Sequence, residues 1–253
     1  MRWTLLLAVL LLPGCSRSRP VQQPVSACES QSFEGDSFTV CAAGRGGVEV
    51  RHGLRSFAAL QSGLGASADR VSFAMNAGMF DDAGRPIGLL VENGRQVHAI
   101  NLKEGGGNFH LMPNGVFLVR DDGSMAVVTS RDYVPSKAVR FATQSGPMLV
   151  IGGKLHPRFD ADGTSRYVRN GVGVRGDGVA LFVISEQVVS FGKFARFFRD
   201  ALKTPNALYF DGSVSSLWDP ANGRMDSFTE LGPMVVAFRS AASAPDRGAR
   251  ARP

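Results

Sequence analysis

Five short stretches set polar or charged side chains where an apolar run stops. "SFAMNAGMF" carries Asn76, followed by Ala77 and Gly78, small residues that leave room for a ligand beside the backbone. "FATQSGPML" puts Gln144, Ser145 and Gly146 ahead of another run, and "SRYVRNGVGV" groups Arg166, Arg169 and Asn170. "FVISEQ" puts Glu186 at the end of its apolar run, and "ALYFDGSVSS" carries Asp211 with Gly212, Ser213 and Ser216 behind it. An ionised carboxylate can take a proton from water or attack an electrophilic carbon. Guanidinium forks match phosphate oxygens, and amides and hydroxyls suit sugar oxygens. Each residue taken alone also has an ordinary reading as a turn or cap, because Asp-Gly and Asn-Gly are common turn dipeptides.

Other chemistries find less support. His52, His98, His110 and His156 lack the two- or four-residue spacing that puts two ligands on one face, and no cysteine pair is left over for zinc. No metal ligand set and no cofactor is therefore expected. A divalent cation at Asp211 stays open as an aid to phosphate binding, without a recognisable loop for it. "EGGGN", Glu104 to Asn108, has no strand before it or helix after it and reads as a flexible turn. No Gly-x-Ser-x-Gly nucleophile elbow occurs.

Strands must carry these residues. Short β-type runs such as "SFTVC", "RVSFAM", "GPMLVIGGK" and "GPMVVAF" recur between turn signals, and Asn93-Gly94, Asp122-Gly123, Gly152-Gly153 and Asp177-Gly178 suit tight hairpins. Helices are few. Phe191, Phe194, Ala195, Phe198 and Leu202 recur at helical spacing between a Ser190 cap and a Thr204-Pro205 stop, and read as core; a second short helix fits Leu54 to Leu64. The fold class is α+β: a strand-rich, mixed, largely antiparallel sheet with a few packed helices in a single domain.

In order, "NAGMF", "QSGPML", "SRYVRNGVGV" and "LYFDGSVSS" resemble the phosphodiester glycosidase family that includes the lysosomal uncovering enzyme, and most of all its bacterial branch. The resemblance runs from about Phe73 to Phe238. It implies one α+β domain, cleavage of a sugar from a sugar-1-phosphodiester, and a pocket shared by Asn76, Ser145, Gly146, Arg169, Asn170, Asp211, Gly212 and Ser216. Relatives of the lysosomal kind follow the aspartate with a run of glycines, where this chain has Ser213 and Val214.

The implied chemistry suits the residues. Breaking the bond from an anomeric carbon to phosphate builds positive charge on the sugar ring and releases a phosphomonoester, whose second pKa of about 6 calls for little protonation. One carboxylate and a phosphate clamp suffice. Asp211 is the candidate base or nucleophile, and Glu186 is the second carboxylate. Arg166 and Arg169 are candidate phosphate clamps; Asn76, Gln144 and Asn170 would meet sugar hydroxyls, and Ser213 and Ser216 other ligand oxygens. The competing reading is a non-catalytic envelope module that binds a glycan or polyanion through the same pocket.

Charge and cysteines bear on partners and location. The chain has 253 residues and a formal net charge of +6. Residues 21–240 hold 22 Lys and Arg against 21 Asp and Glu, so the excess sits at the two ends and the domain presents no nucleic-acid face. "MRWTLLLAVLLLPGC" reads as an export signal over residues 1–14. It closes on a stretch that resembles a bacterial lipobox with Cys15 as the acylated residue, although Pro13 stands where a small residue is usual. Ser16 argues against retention at the inner membrane, so the expected location is the periplasmic face of the outer membrane, held by a lipid anchor. A tether follows over 15–27, the domain over 28–240, and a disordered basic tail over 241–253. With Cys15 acylated, Cys28 and Cys41 remain to form a disulfide outside the cytosol.

Overall fold

The computed structural model describes residues 26–239. The signal segment, Cys15, most of the tether and the basic tail lie outside them.

Three antiparallel sheets share the described chain. The largest has the order β1 (Cys28–Phe33), β2 (Asp36–Ala43), β13 (Ala180–Ser185), β12 (Asn170–Val174), β14 (Asn206–Tyr209), β10 (Met148–Ile151) and β11 (Lys154–Leu155). The second has β16 (Arg224–Met225), β15 (Leu217–Asp219), β4 (Val71–Asn76), β17 (Met234–Phe238) and β3 (Val48–Arg51). The third has β6 (Arg95–His98), β5 (Leu90–Glu92), β9 (Val139–Ser145), β7 (Gly115–Arg120) and β8 (Met125–Thr129). The α+β class expected from the sequence is the one found.

Turn chemistry sets the registers. Asn93-Gly94 joins β5 to β6 and Gly152-Gly153 joins β10 to β11 with both central residues at positive φ, the backbone a two-residue hairpin requires. Asp122-Gly123 and Asp177-Gly178 fall at the β7–β8 and β12–β13 turns. Glu34-Gly35 closes β1–β2 in the same way, and only its glycine marks the turn in the sequence. Cys28 and Cys41 stand directly opposite across that hairpin and form a disulfide.

One core joins the sheets. The Phe182 ring of β13 meets Phe73 of β4 at 5.3 Å and Phe117 of β7 at 5.4 Å, one aromatic from each sheet. The outer face of the largest sheet is covered by α2 (Phe191–Arg196) and a π-turn over Phe197–Ala201, whose Phe194, Phe197 and Phe198 are fully buried. Ser190 caps α2 by accepting the Lys193 N–H, as its position predicts. On the second sheet, α1 (Phe57–Leu64) starts three residues later than its apolar spacing indicates, because Arg55 takes a left-handed φ of 56° and Ser56 becomes the cap.

Candidate active site

Asp211 lies two residues beyond the end of β14 and caps a single 3-10 turn, Gly212–Val214. Its backbone is held on both sides by the end of β4: its N–H donates to Ala77 O at 2.9 Å, and its carbonyl accepts from Asn76 Nδ2 at 2.7 Å. Carboxylate Oδ1 accepts from both the N–H and the hydroxyl of Ser213. Oδ2 has no hydrogen-bond partner among the described residues, and no cation pairs with the group. Asp211 is 9% exposed. Burial raises its pKa above the ordinary aspartate value, and the two Ser213 bonds offset part of the rise.

Beneath it lies a closed amide network. Asn76 Oδ1 accepts from Asn170 Nδ2 and from the Ser216 N–H, each at 2.8 Å, while Asn170 Nδ2 also reaches Asn76 O. The Ser215 hydroxyl contacts Asn170 Oδ1, Val168 O and Gly212 O, and the Ser216 hydroxyl donates to Val214 O. These bonds tie β4, the head of β12 and the turn after β14 into one unit. The polar atoms of Asn76, Asn170 and Ser216, expected to meet ligand oxygens, are engaged in hydrogen bonds inside the protein, and Asn76 holds the Asp211 carbonyl.

Gln144 is likewise redirected. Its Oε1 accepts from the N–H groups of Leu89 and Asn101, and its Nε2 donates to Asn101 O and the Ser130 hydroxyl, strapping the loop around β5 and β6 to β9. The glycines give closeness rather than ligand space. A Cβ on Gly78 would overlap the Thr143 hydroxyl and stand 2.7 Å from Gln144 O; one on Gly146 would lie 2.6 Å from the Asn114 Cβ; one on Gly212 would overlap the Tyr209 hydroxyl.

Arg169 heads β12, fully buried, with no carboxylate partner. Nε donates to Val189 O and Nη2 to Ser165 O, and the guanidinium stacks 3.5 Å from the Phe191 ring centroid. Nη1 is buried without a hydrogen-bond partner, and so is the Ser145 hydroxyl. Desolvation lowers the pKa of Arg169, and neighbouring Tyr209 pulls the other way. The Tyr209 hydroxyl, pushed up to about 12 chiefly by burial, stays protonated.

Two expected members stand apart. Glu186 Oε1 pairs with Arg224 at 2.7 Å and takes the Thr39 hydroxyl at 2.6 Å, and Arg224 also binds Asp226. Glu186, expected as the second carboxylate, is a member of an ion cluster with Arg224 and Asp226. Arg166 is exposed and carries no ion pair among the described residues.

Tyr209, Phe191 and Ser215 belong to the site without having been singled out. Strand periodicity places Tyr209 on the same face as Asp211, two residues on, and that signal was present in "ALYFD". Nothing in the sequence marks Phe191 as the platform for Arg169 rather than one more core phenylalanine. A cavity of about 410 Å³ lined by Arg51, His52, Leu60, Arg70 and Glu92 holds none of the motif residues.

Comparison with known proteins places these features. The chain matches the phosphodiester glycosidase family over residues 69–228, a span that contains every residue of this site. It belongs to that family. It is 40% identical over 152 residues to the Escherichia coli K-12 protein YigE, described as uncharacterized; the match covers 60% of this chain and 59% of that protein. The fold resembles the catalytic domain of zebrafish N-acetylglucosamine-1-phosphodiester alpha-N-acetylglucosaminidase, auto-inhibited by its pro-peptide, with a TM-score of 0.58 at 15% identity, over 85% of this chain and 82% of that one. It also resembles a putative exported protein of Burkholderia pseudomallei, with a TM-score of 0.53 at 12% identity, over 81% and 74%.

Proposed function

We propose that the protein hydrolyses the bond between an anomeric carbon and phosphate in a sugar-1-phosphodiester, with Asp211 as the base or nucleophile. The observation that carries this reading is a buried carboxylate with one oxygen engaged and the other free among the described residues, held by the amide network within the matched family segment. Either Asp211 takes a proton from the water that attacks the anomeric carbon, or it bonds to that carbon and water then displaces it from the glycosyl-enzyme; in both cases the electron pair of the broken bond leaves with the phosphomonoester. A phosphomonoester with a second pKa of about 6 departs without a strong acid behind it, which agrees with an engaged Glu186. Arg169, a buried cation with a free N–H group and no counter-ion, is the phosphate contact closest in chemistry to what that step needs. Ser213, exposed beside Asp211, and Arg166 on the segment leading to β12 are the groups left to meet the substrate's outer oxygens.

The substrate is placed in the cell envelope by the export signal and by acylation of Cys15, which together put the domain on the periplasmic side of the outer membrane as a lipid-anchored hydrolase of phosphorylated glycans. The test is release of reducing sugar from a panel of sugar-1-phosphodiesters, run beside Asp211→Asn. Saturable glycan binding without release by either protein would replace the hydrolase with a binding module.

A further inference from the structure

Tyr209 lies between Arg169 and the turn that carries Asp211. Its ring is fixed edge-on to Phe191 at 4.8 Å, and Phe191 is also the platform of Arg169. Its hydroxyl lies against Gly212, so closely that any side chain there would overlap it. Burial pushes the hydroxyl's pKa up; Arg169 and the Gly212 N–H pull it down, and the Asp211 charge pushes it up further. The hydroxyl is thus wedged between the cation and the turn that carries the acid. Among the described residues, the charged groups acting on the hydroxyl are Arg169, just before β12, and Asp211; Asn76 at the end of β4 and Ala77 beyond it hold the Asp211 backbone, and Phe191 of α2 packs on the ring.

We propose that Tyr209 is a positioning residue: its hydroxyl, seated against Gly212 and beside Arg169, fixes the Asp211–Gly212–Ser213 turn so that Ser213 engages Oδ1 and Oδ2 is left free for the substrate. The inference rests on Asp211 being the reacting carboxylate. Without the hydroxyl, the turn loses its stop and the Ser213 bonds to Oδ1, which favour the charged form, slacken. Ionisation becomes harder, so Asp211 should titrate at higher pH.

Tyr209→Phe tests this, since it removes one oxygen and leaves the ring packed on Phe191. In the purified chain, the Asp211 carboxyl carbon followed by NMR through a pH titration should show its midpoint displaced upward in Tyr209→Phe. Turnover should fall about tenfold, as for loss of one organising hydrogen-bonding group, with KM changed less than about twofold. Combined with Ser213→Ala, the loss should be less than the sum of the two single losses, because both act on one turn. An unmoved midpoint together with unchanged turnover would overturn the inference. A wild-type chain that releases no sugar would overturn the hydrolase reading alone, and the titration would still decide the role of Tyr209.

Discussion

At the scale of single residues, the proposed chemistry turns on a carboxylate kept in a poor environment for its charge. Below pH 3.8, Asp211 is protonated in both the folded and unfolded chain and costs nothing. As pH rises towards its higher folded value, the unfolded chain ionises first, and folding loses free energy until the folded group ionises as well. Asp211→Asn should therefore be more stable than wild type at pH 7, with the difference closing below pH 4, as read from urea unfolding at both pH values. Its turnover should fall about 10²–10⁴-fold, the usual cost of removing a general base. The acidic limb of the wild-type rate profile should lie above the ordinary aspartate range. Asp211 stood out in the sequence as an acid behind the apolar run "ALYF", although Asp-Gly alone is also an ordinary turn signal. Glu186 looked equivalent, also a carboxylate at a strand end, and only its contact with Arg224, 38 residues away, separates the two. Pairings across that distance leave no local signal.

At the scale of elements, the site is an intersection of β4, β12 and the β14–β15 turn, pinned by two asparagines. The motif positions in "NAGMF" and "RNGVGV" were readable as functional, whereas their manner of acting was not: spacing shows that an amide sits at a strand end but not which hydrogen bonds it makes. Asn76→Ala would leave Asn170 Nδ2, the Ser216 N–H and the Asp211 carbonyl short of partners in a buried place. It should destabilise the fold by about 2–4 kcal/mol by urea unfolding and reduce turnover without touching substrate. Gly78→Ala forces a Cβ into β9 and should cost about 1–3 kcal/mol, the ordinary penalty of overpacking. The strand hairpins were the most legible elements, because Asn93-Gly94 and Gly152-Gly153 state their backbone conformation in their residue types.

At the scale of the whole molecule, three sheets meet at Phe182, and a disulfide staples the two strands of the N-terminal hairpin that edges the largest of them. The disulfide closes a loop of sequence separation 13, so Cys28→Ser with Cys41→Ser should cost about 2–4 kcal/mol, measured as a lower urea midpoint at unchanged slope. The arrangement of the three sheets was not legible. Periodicity identifies strands and faces, but the order β1-β2-β13-β12-β14-β10-β11 depends on contacts between segments more than a hundred residues apart. The proposed anchor has its own check: Cys15→Ser should move the protein from the membrane fraction to the soluble fraction, and an unchanged distribution would contradict acylation at that residue.

The most direct test of the central claim is reducing-sugar release from sugar-1-phosphodiesters by wild type and Asp211→Asn under identical conditions, with folding of both confirmed by their unfolding curves. The account predicts release by wild type and a loss of at least about a hundredfold in the variant. Full release by a folded Asp211→Asn protein would contradict it.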